Sequence, residues 1–291
     1  MRRFTSIAKA TALEIINEPL SLLLLTASLV LAVFAPAFHY HQFGEATRMA
    51  RDSGLSALLF GGTVFVSAGV VRSIRRELES GTAAVALAHP VSRAQFLFAK
   101  AFGAYLAFAL FALALGAVTV TIVNGARIGD LIARSKGDIP RLWGPSYAFG
   151  VAAVVVPYVV GAVLNRALRV RFALSAFLTS VAVALASVFY MPHASTLRLL
   201  PALALLWIPP AVFTMGAAAA SVRLKANAAG AVVALLVALF LPFAGNYSLS
   251  EALSKDGTIP WSYVLVAALA ALPAFLLAAA VGLRLVKEQD I

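Results

Sequence analysis

The sequence predicts an all-α protein that crosses a membrane many times, as a polytopic bundle of transmembrane helices. Of its 291 residues, 62% are hydrophobic and only 12% are charged, whereas about 25% of the residues of a soluble domain are charged. The polar residues that remain cannot cover a water-facing surface, so a soluble fold is excluded. The chain also has no cysteine, which excludes a disulfide framework and a thiolate metal site.

The net charge of +11 is compatible with either nucleic acid or an anionic membrane surface as a partner. The basic residues fall in short clusters between long apolar runs and form no continuous basic stripe. This distribution is typical of the cytoplasmic loops of membrane proteins and not of nucleic-acid-binding surfaces. We therefore expect membrane lipids, and no nucleic acid, among the partners.

Eight apolar stretches approach the length of about 20 residues that a helix needs to cross the hydrocarbon core. An even number of crossings places both termini on the same side of the membrane. The predicted spans are residues 20–38, 54–71, 101–124, 147–164, 173–190, 199–220, 228–244 and 262–283.

The distribution of basic residues predicts which side that is. With the termini inside, fifteen of the 23 Lys and Arg residues lie on the inner side and eight on the outer side, whereas the 12 acidic residues divide evenly. An inner excess of Lys and Arg without an acidic bias is the pattern of a cytoplasmic side. We expect a multi-pass protein of the bacterial plasma (inner) membrane, with both termini cytoplasmic and residues 1–291 forming a single transmembrane domain.

The first segment, residues 1–19, precedes the first span. Its apolar residues recur at helical spacing between Phe4 and Ile16, which predicts an amphipathic helix in the inner membrane interface or a cytoplasmic extension of the first span. A cleaved signal peptide is the rival interpretation, since Ala35-Pro-Ala37 resembles a cleavage site. Glu14, Glu18 and the long apolar run favour an uncleaved first span.

The sixth predicted span is the weakest. Pro201 and the pair Pro209-Pro210 each lack an amide donor and are expected to bend or break a helix in lipid. The segment is therefore either a bent crossing or a re-entrant hairpin with residues 228–244. The hairpin would leave six true spans. Outside the membrane, the polar stretch 125–146 is the longest predicted outer connection.

The spans offer little chemistry. None contains an ionisable residue of the kind that ion-coupled transporters and pumps use, and the Gly-x-Ser-x-Gly and His-Glu-x-x-His motifs are absent. The Ser and Thr hydroxyls of the spans are expected to bond to their own helix or a neighbour. The pair His39-x-His41 supplies only two metal ligands, which is a weak site. We expect no catalytic residue, cofactor or metal in this chain.

The inner loop between the second and third spans, residues 72–100, is the most informative segment. The second span can continue as a charged helix through Glu79 and end at Gly81, a residue that favours the C-terminal end of a helix. A short apolar helix over 83–89 is expected next, ended by Pro90. The third span would then begin well inside the cytoplasm.

The start of that third helix has its own signals. Ser92 and Gln95 have the Ser-x-x-Gln spacing of a capping box, and Val91 with Phe96 have the spacing of a hydrophobic staple. The expected geometry is a small helix held between two long ones. Such an element can dock on another protein, or it can be an ordinary interfacial loop whose arginines contact anionic lipid.

Part of this loop resembles a known family. Arg-Glu-x-Glu-Ser-Gly-Thr at 76–82, Leu87, Pro-Val-Ser-Arg at 90–93, Phe96 and Lys100 resemble the signature loop of the type-2 ABC exporter permeases. The match covers about thirty residues, with a looser likeness at 7–10, Glu14 and Pro19-Leu20. The family's usual count of six spans is exceeded here by one apolar pair.

The resemblance implies a partner and a set of contact residues. In that family the loop between spans two and three is a coupling helix, which sits in a groove of a separate ATPase subunit and passes its motion to the spans. The chain has no P-loop and no Gly-Lys dipeptide, so it cannot bind ATP in that way itself. The residues expected to build or present the ATPase contact are Arg76, Glu77, Glu79, Ser80, Gly81, Thr82, Leu87, Pro90, Ser92, Arg93 and Lys100.

The expected function is therefore that of the permease subunit of an ATP-driven ABC exporter. ATP-Mg is expected on the partner subunits, and two permease chains should pair as a homodimer or a heterodimer. The alternative is a polytopic membrane protein outside the ABC class, such as a passive channel or a membrane assembly factor, whose inner loop contacts only lipid.

Overall fold

The computed structural model describes residues 2–38, 46–80, 92–136, 144–190, 196–224 and 259–288. Within these ranges every regular element is a helix, which confirms the all-α class. The helices are α1 (Arg2–Ile16), α2 (Pro19–Phe38), α3 (Ala46–Glu79), α4 (Arg93–Lys136), α5 (Gly144–Leu168), α6 (Phe172–Phe189), α7 (Thr196–Leu205), α8 (Ile208–Arg223) and α9 (Trp261–Glu288).

Seven segments of the described chain are long and apolar enough to cross a membrane. Six are the single helices α2, α3, α4, α5, α6 and α9, and the seventh is formed by α7 and α8 together. The chain is thus a multi-pass helical bundle, as predicted. The remaining predicted span, residues 228–244, lies outside the described residues.

Two of the helices are longer than predicted. Helix α3 starts at Ala46, before the predicted span at residue 54, and α4 continues to Lys136, so the first half of the predicted outer connection 125–146 is helical. The reason is a tertiary contact between the two polar extensions. The Thr47 hydroxyl donates to the Asp130 carboxylate at 2.7 Å, which supports helical backbone beyond the apolar runs.

The bundle core forms where α3, α4 and α6 meet. Phe65 of α3 stacks on Phe111 of α4 with ring centroids 4.8 Å apart and on Phe177 of α6 at 6.0 Å, and all three rings are buried. Gly62 permits the close approach, because a Cβ there would lie 2.6 Å from the ring of Phe108. Small residues at such crossings allow membrane helices to pack tightly.

The sixth span is broken, as its prolines predict. Helix α7 ends at Leu205 and α8 begins at Ile208, with Pro209 and Pro210 in the first turn of α8, where no amide donor is needed. The Tyr105 hydroxyl donates to the Trp207 carbonyl at 2.9 Å and so satisfies an acceptor at the break.

The two halves of this broken span do not turn back on each other. Leu200 and Leu203 of α7 share a cavity with Trp261 at the start of α9, whereas Arg223 at the end of α8 lies 3.4 Å from Glu288 near the end of α9. The pair therefore runs alongside α9 in the same direction. Residues 196–223 thus form one bent segment that is long and apolar enough to cross a membrane, and the alternative hairpin with residues 228–244 involves residues outside the described ranges.

Helix α1 is a separate element and not an extension of the first span. It ends at Ile16, the chain turns, and α2 begins at Pro19. Its buried face lies across α4, where a Cβ on Gly103 would come within 2.7 Å of the Thr11 Cβ and closer still to the Ala8 carbonyl oxygen. The interfacial position of α1 in the membrane stays a prediction.

All segments predicted to be cytoplasmic meet at one end of the bundle, among the residues that the structure describes. We call this the basic end. It is defined by contacts between residues of α1, α3, α4, α8 and α9: Arg72 with Glu18, Lys100 with Glu77 and Glu14, Arg93 with the carbonyls of Val286 and Lys287, and Arg223 with Glu288. The contact of Thr47 with Asp130 lies at the opposite end.

Candidate functional site

Lys100 is the centre of the basic end. Its side chain is 2% exposed, although it comes from a position just before the apolar run of α4. The ammonium Nζ lies 2.5 Å from Glu77 Oε1, 2.8 Å from the Ser73 hydroxyl and 3.6 Å from Glu14 Oε2. The ammonium donates to Glu77 and to the Ser73 hydroxyl, both on α3, and the more distant Glu14 carboxylate of α1 adds an ion pair.

The two carboxylates around Lys100 are themselves held in place. The Ser73 hydroxyl donates to Glu14 Oε2 at 2.7 Å while it accepts from Lys100, and the Arg76 guanidinium lies 3.8 Å from Glu14 Oε1. Two cations thus balance two anions. Because a buried charge is tolerated only when it is paired and hydrogen-bonded, this network explains why Lys100 can be buried. We call these five residues the Lys100 network.

A more exposed ion pair joins α3 to the turn between α1 and α2. Arg72 lies 3.5 Å from Glu18, and its side chain is 52% exposed. Burial raises the pKa of the Glu18 carboxyl above its ordinary value, and the positive charge and hydrogen bond of Arg72 act in the opposite direction. Glu18 is therefore a partly desolvated carboxyl held by one surface arginine.

The start of α4 has the predicted capping box. The Gln95 amide donates to the Ser92 hydroxyl at 3.1 Å, and the Ser92 amide donates to Gln95 Oε1 at 3.4 Å, so two amides at this N-terminus are satisfied. Arg93 reaches the last turn of α9, where it donates to the Val286 and Lys287 carbonyls at 3.1 and 3.3 Å. A cation at a helix C-terminus satisfies free carbonyls there.

The structure brings only part of the predicted contact set together. Glu77 and Lys100 form the buried pair, and Arg76 joins them through Glu14. Glu79 lies 3.5 Å from Arg75 on an exposed surface. At the end of α3, the Ser80 amide donates to the Arg76 carbonyl. Four predicted contact residues and the predicted helix 83–89 lie outside the described residues: Gly81, Thr82, Leu87 and Pro90.

Sequence reasoning missed two members of the Lys100 network, Glu14 and Ser73. Glu14 lies on the polar side of the amphipathic pattern that predicted α1, so its position near the membrane surface could be inferred. Its partner could not, because which face of α1 meets α4 depends on the crossing at Gly103. Ser73 looks like any serine in a helix until Lys100 is placed beside it.

Hydroxyls in the spans behave as predicted, with one exception. Thr119, Thr121 and Thr214 donate to carbonyls of their own helices, and Ser180 donates across to the Ala153 carbonyl of α5. Ser67 Oγ is buried without a hydrogen-bond partner. In the ranges that the structure covers, no group of His, Asp and Glu could hold a metal ion. His39 and His41 fall outside those ranges.

Comparison of the chain with family models, with curated proteins and with solved structures gives no match. The resemblance to the exporter permeases therefore depends on the loop residues alone.

The contacts at the basic end link the positions of three helix ends. Helices α3 and α4 flank the loop, both extend past their apolar segments, and the Lys100 network ties them to each other and to α1. Because paired charges in a poorly solvated site resist separation, a force applied to the loop would move these helix ends together.

Proposed function

We propose that this protein is the permease subunit of an ATP-driven ABC exporter, in which the loop between α3 and α4 docks on a separate ATPase subunit. The observation that carries the proposal is the buried Lys100–Glu77 pair, which joins the two helices that flank the loop. The family proposed is the one whose signature loop the motif at 76–82 and 90–93 resembles. Because the pair joins α3 to α4, a displacement of the loop would move both helices together.

The lengths of α3 and α4 explain how a displacement of the loop would reach the membrane. Helix α4 has 44 residues and α3 has 34, so at 1.5 Å per residue they extend over about 65 and 50 Å. Both exceed the hydrocarbon thickness of about 30 Å. A rigid helix that continues from the loop into the bundle carries a displacement of its end into the membrane, as in other rigid-body transitions.

The proposal includes partners that this chain requires. ATP-Mg is bound by two ATPase subunits with P-loops, since this chain has none, and a second permease chain completes the pathway as a homodimer or heterodimer. The membrane is the bacterial plasma membrane, with the basic end in the cytoplasm, because the Lys and Arg excess lies there.

Copurification tests this proposal. The tagged full chain, extracted from its own membrane in mild detergent, is expected to bring down a soluble-type ATPase with a P-loop, and the complex is expected to hydrolyse ATP. Glu77→Gln should uncouple hydrolysis from transport of a cargo in reconstituted vesicles. Asp52→Asn, which removes a partly exposed carboxylate that faces the exposed Arg48 and the buried Arg51 at the opposite end, is the control and should leave coupling unchanged.

A chain that purifies intact without any ATPase, and that lets solutes pass through vesicles without ATP, would contradict the proposal. That result would favour the passive channel. Loss of coupling between hydrolysis and transport with Asp52→Asn as well as with Glu77→Gln would mean that the substitutions act through general instability and not at the proposed coupling site.

A further inference from the structure

A second site opens at the basic end, away from the Lys100 network. A cleft of about 740 Å³ lies between the start of α2, the end of α5 and the start of α6. This volume is within the range of small-molecule sites. Its rim carries Asn17, Asn165 and Arg171, and its wall is formed by apolar side chains that include Leu23 and Phe172.

The polar groups of the cleft are concentrated at its rim. Farther in, the Tyr158 and Thr26 hydroxyls lie 2.7 Å apart, and Thr26 also lies 2.8 Å from the Leu22 carbonyl. Thr26 therefore donates to that carbonyl and accepts from Tyr158, which leaves neither hydroxyl with a proton to donate. Below the rim the cleft offers an apolar surface to its occupant.

The rim carries one arginine, Arg171, which belongs to a short basic cluster. The last turn of α5 and the connection to α6 carry Arg166, Arg169 and Arg171, which are all exposed, and among the described residues no carboxylate pairs with any of them. The arginines of α3 differ, since Arg72 and Arg76 face Glu18 and Glu14. Arg171 at the mouth of an apolar cleft, with two further exposed arginines within five residues of it in sequence, complements a molecule with an anionic head and a hydrocarbon tail.

The turn that presents these arginines is fixed. Arg169 has a φ of 55°, in the left-handed region that few residues other than glycine adopt, and the Asn165 side-chain amide donates to the Val170 carbonyl at 2.8 Å. This tight connection holds Arg171 directly before α6, at the mouth of the cleft.

We propose that this cleft binds one anionic phospholipid of the adjacent leaflet, with its phosphate at Arg171 and one acyl chain along Leu23 and Ala27 of α2. A second copy of this chain is a poorer occupant. A symmetric contact would bring the same arginines of both copies together, and like charges repel. The inference does not depend on the ATPase partner.

The test uses the full chain reconstituted in phosphatidylcholine vesicles, with spin-labelled phosphatidylglycerol as the probe. Electron paramagnetic resonance measures the fraction of immobilised lipid. The wild type is expected to prefer phosphatidylglycerol to spin-labelled phosphatidylcholine. Arg171→Gln should weaken that preference about fivefold, the effect of one basic residue near an anionic lipid. Arg198→Gln, which removes an exposed arginine outside the cleft, should have no effect.

A second pair of variants separates the cleft from general charge attraction. Ala27→Trp fills the cleft and should abolish the preference, whereas Leu31→Trp, at an exposed site on α2 beyond the cleft, should keep it. Both sites are exposed, so folding should survive, and unfolding midpoints check this.

Equal effects of Arg171→Gln and Arg198→Gln, or of Ala27→Trp and Leu31→Trp, would overturn the proposal. So would release of the probe by millimolar inorganic phosphate, because the ligand would then be a free anion. A disulfide between Ala27→Cys residues of two copies would assign the cleft to a protein contact and would overturn it too.

Discussion

Lys100 is a cation whose side chain is almost completely surrounded by protein. Substitution by Met keeps the length of the side chain but removes its charge, so Glu14 and Glu77 lose the ammonium group that both of them contact. Removal of one partner from a buried pair costs 3–5 kcal/mol, and the two carboxylates keep some contact with solvent. We therefore expect Lys100→Met to lower the free energy of unfolding by roughly 2–4 kcal/mol, as measured by denaturant titration in detergent.

Arg284→Gln is the matched control for that experiment. Arg284 pairs with Glu288 one turn along α9, and its side chain is 83% exposed. Surface pairs of this spacing contribute about 0.3–0.5 kcal/mol. Equal destabilisation by the two substitutions would mean that the Lys100 network is no stronger than a surface ion pair.

Glu18 gives a prediction about pH. Burial raises the pKa of its carboxyl and Arg72 lowers it, so Arg72→Gln should raise this pKa further. Because the folded-state pKa exceeds that of the unfolded chain, the contribution of Glu18 to stability is present at low pH and is lost as the pH rises through the folded pKa. An infrared titration of the carboxyl band, with Glu18→Gln to assign it, measures the shift. A titration midpoint of that band at lower pH in Arg72→Gln than in the wild type would contradict this account.

For single residues, the sequence predicts the type of interaction that a side chain makes better than it predicts which distant residue that side chain contacts. Ser92 and Gln95 were predicted to cap α4 because both belong to one turn, and the hydrogen bonds confirm it. Lys100 was predicted as a contact residue, but its burial and its contact with Glu14 were not. That contact depends on how α1 crosses α4, which no local pattern contains.

Among the helices, the crossing of α1 and α4 is the most easily disturbed. A Cβ on Gly103 would meet the Ala8 carbonyl oxygen and the Thr11 Cβ, and backbone atoms cannot move aside as a flexible side chain can. We expect Gly103→Ala to lower the free energy of unfolding by about 1–3 kcal/mol through overpacking. Denaturant titration and the protease sensitivity of α1 measure the effect.

Gly216 provides the control within a helix of the same protein. In the part of the chain that the structure describes, no atom apart from the adjacent backbone of its own helix lies within 4 Å of a Cβ built there, and alanine is a better helix former than glycine. Gly216→Ala should leave stability unchanged or raise it slightly. If Gly103→Ala behaved in the same way, α1 would not be packed closely on α4.

Helix bounds were predicted well where the apolar run determines them. They were predicted poorly where tertiary contacts extend a helix beyond its apolar run. The fifth span, predicted at 173–190, is Phe172–Phe189, because its apolar run ends sharply at both sides. The second and third spans continue as helices into polar sequence, where the contact of Thr47 with Asp130 supports them. The break before Pro209 was predictable because a missing amide donor is a local property.

At the scale of the whole molecule, the prediction that consecutive spans alternate in direction agrees with the contacts. The predicted cytoplasmic segments of the described chain meet at the basic end, although they are far apart in sequence. Apolar side chains cover much of the outside of α9, including Leu265, Leu269 and Leu276, as a lipid-facing or chain-facing surface requires. The side of the membrane that the basic end faces follows from the Lys and Arg count and stays a prediction.

The central claim is that the loop between α3 and α4 meets a separate ATPase in the cytoplasm. Since the chain has no cysteine, Ala86→Cys creates a single reactive thiol in that loop, and Ser135→Cys creates one near the far end of α4. A bifunctional thiol–amine crosslinker applied to intact complexes is expected to join residue 86, and not residue 135, to a P-loop ATPase. Absence of that product at residue 86, or labelling of that thiol only from outside the cell, would contradict the account.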